Sequence, residues 1–258
     1  MMHQMIKRIT ILALMISFTI CVDAQKKSVT IPPVIQQLIN NMVYVEGGSF
    51  LMGGTVEQGT DISEREYPIH EVTVSDFYIN KYEVTQEEWA AVMGKNPSRF
   101  PNAKHPIEQV SYRDCQRFIR KLNRLTKKKF RLPTEAEWEF AARGGKQSKG
   151  YKYAGSDDIR EVAWICENSS NSTQDVGMKQ PNELNLYDMS GNVWEWCLDL
   201  LGDYRKDAQV NPKGAYSSAF YVFRGGSWVN EPWYCRVATR NGNQPRIRSV
   251  NLGLRLAL

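Results

Sequence analysis

The residues with the widest chemical reach in this 258-residue chain are its cysteines. Beyond the leader described below stand Cys115, Cys166, Cys197 and Cys235. None of them lies in a Cys-x-x-Cys pair, so a zinc knuckle is not expected. In an oxidising compartment four cysteines allow three disulfide pairings, of which Cys197–Cys235 is the favoured one. Buried free thiols packing as small hydrophobes are the alternative. His70 and His105 are isolated and read as surface or satisfied core residues, not as metal ligands. No Gly-x-Ser-x-Gly elbow, Walker loop or His-Glu-x-x-His helix occurs. Gly225-Gly226-Ser227 reads as a tight backbone turn.

The elements that must position these groups announce themselves by capping boxes. Thr85 with Glu88, Ser111 with Asp114 and Thr134 with Glu137 each predict a helix start. The first helix is expected to stop at Gly94 and the second before Lys127-Lys128-Lys129, a run that reads as a solvated turn. The third should end at Gly144-Gly145. Residues 42–45 and 47–52 read as two strands joined by a Gly-rich turn, 53–67 as a loop, and 70–79 as one half-buried strand. Beyond residue 146 helical periodicity disappears.

At the other end, Lys7 and Arg8 precede an apolar run over residues 9–20, and Val22-Asp23-Ala24 suits cleavage before Gln25. Residues 1–24 are therefore expected to be a secretory signal peptide, too short for a comfortable membrane span. Cys21 also allows a lipid anchor, although Ile20 is a poor match for that processing. Residues 25–41 read as a polar lead-in with a short helix at 34–41, and 42–258 as the folded domain. Seven Trp, twelve Tyr and nine Phe supply ample surface to bury, which excludes disorder. The net charge of +5 is mild and scattered along the chain, so no nucleic-acid partner is expected. No later stretch is apolar enough to cross a bilayer. With no repeat or linker, one α+β domain with much irregular coil is the expected architecture.

Phe130-Arg131-Leu132-Pro133-Thr134-Glu135-Ala136-Glu137-Trp138-Glu139 resembles the formylglycine-generating-enzyme (sulfatase-modifying factor) family. Further matches run in order: Gly47-Gly48-Ser49-Phe50, Glu83-Val84-Thr85, Pro181-Asn182-Glu183, Gly191-Asn192-Val193-Trp194-Glu195-Trp196, Arg224-Gly225-Gly226-Ser227-Trp228 and Asn251-Leu252-Gly253-Leu254-Arg255. The resemblance covers residues 42–258 and implies a C-type-lectin-like variant of the formylglycine-generating-enzyme fold. That fold carries both oxidases and binding modules, so it does not decide function.

The family reaction oxidises a sulfatase cysteine to formylglycine with copper(I) and oxygen. It uses two cysteines five residues apart after the Gly-Gly-Ser motif, and soft thiolates suit copper(I). Counted from Gly225-Gly226-Ser227, those positions fall on Asn230 and Cys235; counted back from 240–245, Cys235 falls on an aromatic position. Either way one sulfur is missing. The histidine-bearing helical domain of iron-dependent relatives is absent too. The resemblance also implies one structural calcium site, with Asp188 and Glu195 as side-chain ligands and the carbonyls of Gly191 and Val193. A second family calcium site finds no counterpart in 166–177.

What remains is a surface in the segment that forms the family's substrate cleft: Trp228, Asn230, Glu231, Trp233, Tyr234, Arg236, Asn241, Asn243, Arg246 and Arg248. The expectation is an exported, non-catalytic binding or scaffold module at the cell envelope, periplasmic, outer-membrane-associated or secreted. Gliding-motility and type IX secretion assemblies supply the analogy, with an envelope protein, peptide or glycan as ligand. The alternative is a formylglycine-generating oxidase using copper, with Cys235 catalytic and Cys197 as its second sulfur.

Overall fold

Each capping box opens the helix it predicts. The side chains of Thr85, Ser111 and Thr134 accept from the backbone amides of Glu88, Asp114 and Glu137, and those acids accept from the cap amides in return. Two orphan donors are satisfied at each start, and each cap contributes about 1 kcal/mol. Gly94 closes the first helix in the left-handed conformation.

A computed structural model describes residues 30–258. In chain order it holds α1 (Pro33–Asn40), β1 (Met42–Val45), β2 (Gly48–Met52), β3 (His70–Val74), β4 (Phe77–Asn80), α2 (Gln86–Met93), α3 (Tyr112–Thr126) and α4 (Glu135–Ala142). Then follow α5 (Ile159–Val162), β5 (Trp194–Leu200), β6 (Gln209–Val210), β7 (Tyr221–Arg224), β8 (Arg240–Asn243) and β9 (Leu252–Leu254). The expected signal peptide and Cys21 lie outside the described residues. No helix among the described residues is long and apolar enough to cross a membrane.

Two expectations about the elements are corrected. The segment at 25–41 does not merely lead in: Ile35 and Leu38 of α1 are fully buried in the main core with Trp89, Phe118 and Leu254. Residues 31–258 form one unit. The two strands expected at 42–52 are present, and each pairs with a different partner. β1 pairs antiparallel with β4 and β2 with β3, in one unbroken register from Met42↔Asn80 to Met52↔His70. The second correction is at 70–79, which is interrupted at Ser75-Asp76. There a Cβ on Gly47 would lie 2.3 Å from the Val74 carbonyl oxygen, and the Gly47 amide donates to Asp76 Oδ1 at 2.8 Å.

A separate four-stranded sheet runs β8-β7-β5-β9, with β5 and β9 parallel, and carries α4 on one face. Between them lies a chain of buried ion pairs. Glu135 of α4 takes both Arg240 Nε and Nη2, at 2.7 and 2.6 Å, and Glu139 pairs with Arg224 and Arg143. Arg255, after β9, pairs with Glu195 of β5 at 2.7 Å. Charges this deep are tolerated only because every partner is present. These are the residues on which the family resemblance rests, and their work here is to join helix to sheet.

Candidate functional site

Gly225-Gly226-Ser227 is the tight turn expected of it: both glycines have φ in the left-handed region, +102° and +75°. The turn is strapped to the loop at 188–193 by Gly191 N–H to the Gly225 carbonyl and Trp228 N–H to the Asn192 carbonyl, both 2.8 Å. Cys235 packs behind it, so close that a Cβ on Gly226 would lie 2.3 Å from its Sγ.

Cys235 is fully buried, and burial pushes its thiol up to about 12. At neutral pH it is a thiol, not the thiolate that would bind a soft metal. Asn230, at the partner position, has its side-chain oxygen occupied by Trp194 Nε1 at 2.9 Å and by the Ser227 hydroxyl. Its carbonyl accepts the Cys166 amide at 3.1 Å.

The favoured Cys197–Cys235 disulfide is not formed: all four cysteines are free. Cys197 sits in the core beneath α4 with Trp138 and Val222, whereas Cys235 belongs to a separate cluster with Tyr153 and Ile165. The nearby sulfur is Cys166, half-buried beside Glu231, and ionisation of Cys166 would push the Cys235 thiol further up. Sequence reasoning passed over this neighbour, because spacing along the chain carries no sign of it.

At the expected calcium site the residues fit in part. Asp188 Oδ2 accepts the Gly177 amide at 2.7 Å, while its Oδ1 is buried with no partner. Burial pushes this carboxyl up to about 6. Such an oxygen suits a hard cation. Glu195 is engaged elsewhere: its carboxylate accepts Trp138 Nε1 at 2.6 Å and Arg255 Nη2 at 2.7 Å. Glu83, quoted above only as part of a family motif and not as a site residue, closes the loop from the other side. It accepts Asn192 Nδ2 at 2.7 Å and the Val193 amide at 3.0 Å. Burial, then the charges of Asp188 and Glu195, hold its carboxyl well above the usual range. Among the described residues no three His, Cys, Asp or Glu side chains converge as a metal cage.

The expected binding surface is thinned. Arg236 is buried, its guanidinium on Glu66 at 2.7 and 2.8 Å and on the Asp61 carbonyl. Trp228 is buried as well, donating to the Val250 carbonyl at 3.1 Å with Phe100 edge-on to its ring. Both are framework residues, not ligand contacts. Glu231, Trp233, Tyr234 and Arg246 remain exposed, with Asn243 half-buried. Trp233 and Tyr234 form an aromatic pair with ring centroids 5.8 Å apart. Asn243 and Arg246 lie at and beyond the end of β8, and no hydrogen bond or ion pair among the described residues joins them to that pair. Both histidines are satisfied, His70 by the Pro68 carbonyl and His105 by Thr173.

A mixed α/β frame with short strands, long ordered loops and a Gly-Gly-Ser turn closing over a buried cysteine defines the class. The model of the sulfatase-modifying factor enzyme 1-like domain matches residues 27–258, and the chain belongs to that family. It is 32% identical to the chaperone protein LppX of Paenibacillus barcinonensis, over 74% of this chain and 79% of that one. It is 30% identical to the formylglycine-generating enzyme of Streptomyces coelicolor, over 83% and 88%. Among solved structures it is similar to Treponema denticola variable protein 1, with a TM-score of 0.76 and 31% identity over 84% of this chain and 94% of that one.

Proposed function

We propose that this chain is an exported, non-catalytic member of the family, acting as a binding or scaffold module at the cell envelope. The observation that carries the reading is the pair Asn230 and Cys235. One position has an amide already hydrogen-bonded inside the protein, and the other a thiol buried behind Gly226 and raised to about 12. A copper(I) centre needs two accessible thiolates. That relatives carry names as different as chaperone, variable protein and formylglycine-generating enzyme supports a frame whose use varies. The ligand surface is centred on Glu231, Trp233 and Tyr234, where exposed aromatic rings favour a peptide or glycan. Calcium, if bound, is held at Asp188 with the loop carbonyls of Gly191 and Val193; it would neutralise the buried acids there and fix the loop.

The test supplies the purified protein with copper(I), oxygen and a peptide bearing the sulfatase Cys-x-Pro-x-Arg pattern, and follows formylglycine by mass. No turnover is expected. Turnover that disappears in Cys235→Ala overturns the reading in favour of the oxidase. In that case Cys166, not Cys197, is the sulfur to replace next, since it is the one near Cys235.

A further inference from the structure

The positive charge that looks scattered in the sequence is gathered by folding. α3 turns Cys115, Phe118, Ile119 and Leu122 into the core, so Arg113, Arg117, Arg120, Lys121 and Arg124 share the opposite, exposed face. Beside them lies a half-open groove of about 720 Å³, walled by α3, the end of α2, the segment at 95–97 and the loop bearing Arg248. Six cations and one acid, Asp114, line it. That excess equals the net charge of the entire chain, +5. Arg117 and Arg248 both pair with Asp114, whereas Lys95, Arg120, Lys121 and Arg124 have no acidic partner among the described residues.

We propose that this groove binds a stretch of acidic polysaccharide, with Lys95, Arg120, Lys121 and Arg124 meeting its carboxylates. Arginine forks hold carboxylates bidentately, and cations three and four residues apart on a helix stand about 5–6 Å apart, a repeat that suits a charged group on successive sugars. Other polyanions fit less well. Trp89, the aromatic residue in the lining, is only 2% exposed and stacked on Phe118, so it offers no face to a nucleic-acid base. The walls are helices and a loop, so an acidic peptide finds no strand edge to pair with. The surface is concave, which does not suit a flat membrane.

The test titrates the purified protein with polygalacturonate, using fully methyl-esterified polymer, poly-L-glutamate and a DNA duplex as comparisons. Polygalacturonate is expected to bind, more weakly as salt is raised, and the ester to bind not at all. Arg120→Glu with Arg124→Glu should weaken binding by about tenfold or more, from the loss of two charge-assisted contacts. Lys127→Glu with Lys128→Glu makes the same charge change on the exposed turn beyond α3 and should leave binding within about twofold. Melting curves establish that both variants are folded. Equal losses in the two variants, no binding by the parent, or tighter binding of poly-L-glutamate or the duplex would each overturn the proposal.

Discussion

Arg224 and Glu139 face each other in a fully buried ion pair that pins β7 to α4. Neither is replaceable alone. The other Glu139 oxygen accepts the Gly53 amide and Arg143 Nε, both at 2.9 Å, while Arg224 also donates to the carbonyls of Ala238 and Thr239. Glu139→Ala is expected to cost about 3–5 kcal/mol, because a buried guanidinium loses its counter-charge. Glu46→Ala, which removes the half-exposed pair with Lys146, should cost about 0.5 kcal/mol or less. Urea denaturation measures both, and similar costs would show that the buried network is not what holds the helix to the sheet.

The unpartnered Asp188 oxygen makes a prediction about calcium. Millimolar calcium should raise the melting temperature of the parent by several degrees, since about 1 kcal/mol of ligand stabilisation moves a domain of this size by about 2–4 °C. Asp188→Asn should lose most of that shift. An identical shift in both proteins, or none in the parent, removes the calcium proposal.

Thiol accessibility follows from burial. In chain begun at Gln25, Cys166 alone should react quickly with a thiol reagent, while Cys115, Cys197 and Cys235, all fully buried, should react only after unfolding. The total on unfolding without reductant should be four. A total of two would mean a disulfide after all.

Asp199 of β5 accepts the Glu135 amide at the start of α4, at 2.9 Å, yet burial and then the Glu135 charge push its carboxyl up to about 8. The folded state therefore holds a proton that the unfolded chain releases near pH 4. This contribution to stability is complete below that pH and is lost as pH rises through about 8. Melting temperature should decline from about pH 4 to about pH 8 and level off above that, and Asp199→Asn should flatten the decline. Parallel profiles would assign the pH dependence to other groups.

Local chemistry was legible in the sequence; depth was not. Each capping box concerns atoms three residues apart, so Thr85, Ser111 and Thr134 declare their helices unaided. The motifs carrying the family resemblance were read correctly as a fold. Arg236 was misplaced on a surface because whether an arginine is exposed depends on its partner, here Glu66, 170 residues away. The interruption of the strand at Ser75-Asp76 faces the matching break at Gly47 between β1 and β2, a close approach across the pair that no periodicity reveals. For Cys197 and Cys235 a count of cysteines says nothing about which core each enters. The basic groove escaped because a net charge hides how the fold distributes it.

The parallel strand β9 and the residues after it are threaded through the molecule's middle. Leu254 and Leu256 carbonyls accept the amides of Val84 and Asn80, Ala257 and Arg131 exchange two bonds, and Arg255 neutralises Glu195. Three segments far apart in the sequence, at 78–84, 131 and 195, thus share one partner in residues 252–258. A chain lacking residues 252–258 would leave the amides of Asn80, Val84 and Arg131 and the buried Glu195 carboxylate without these partners.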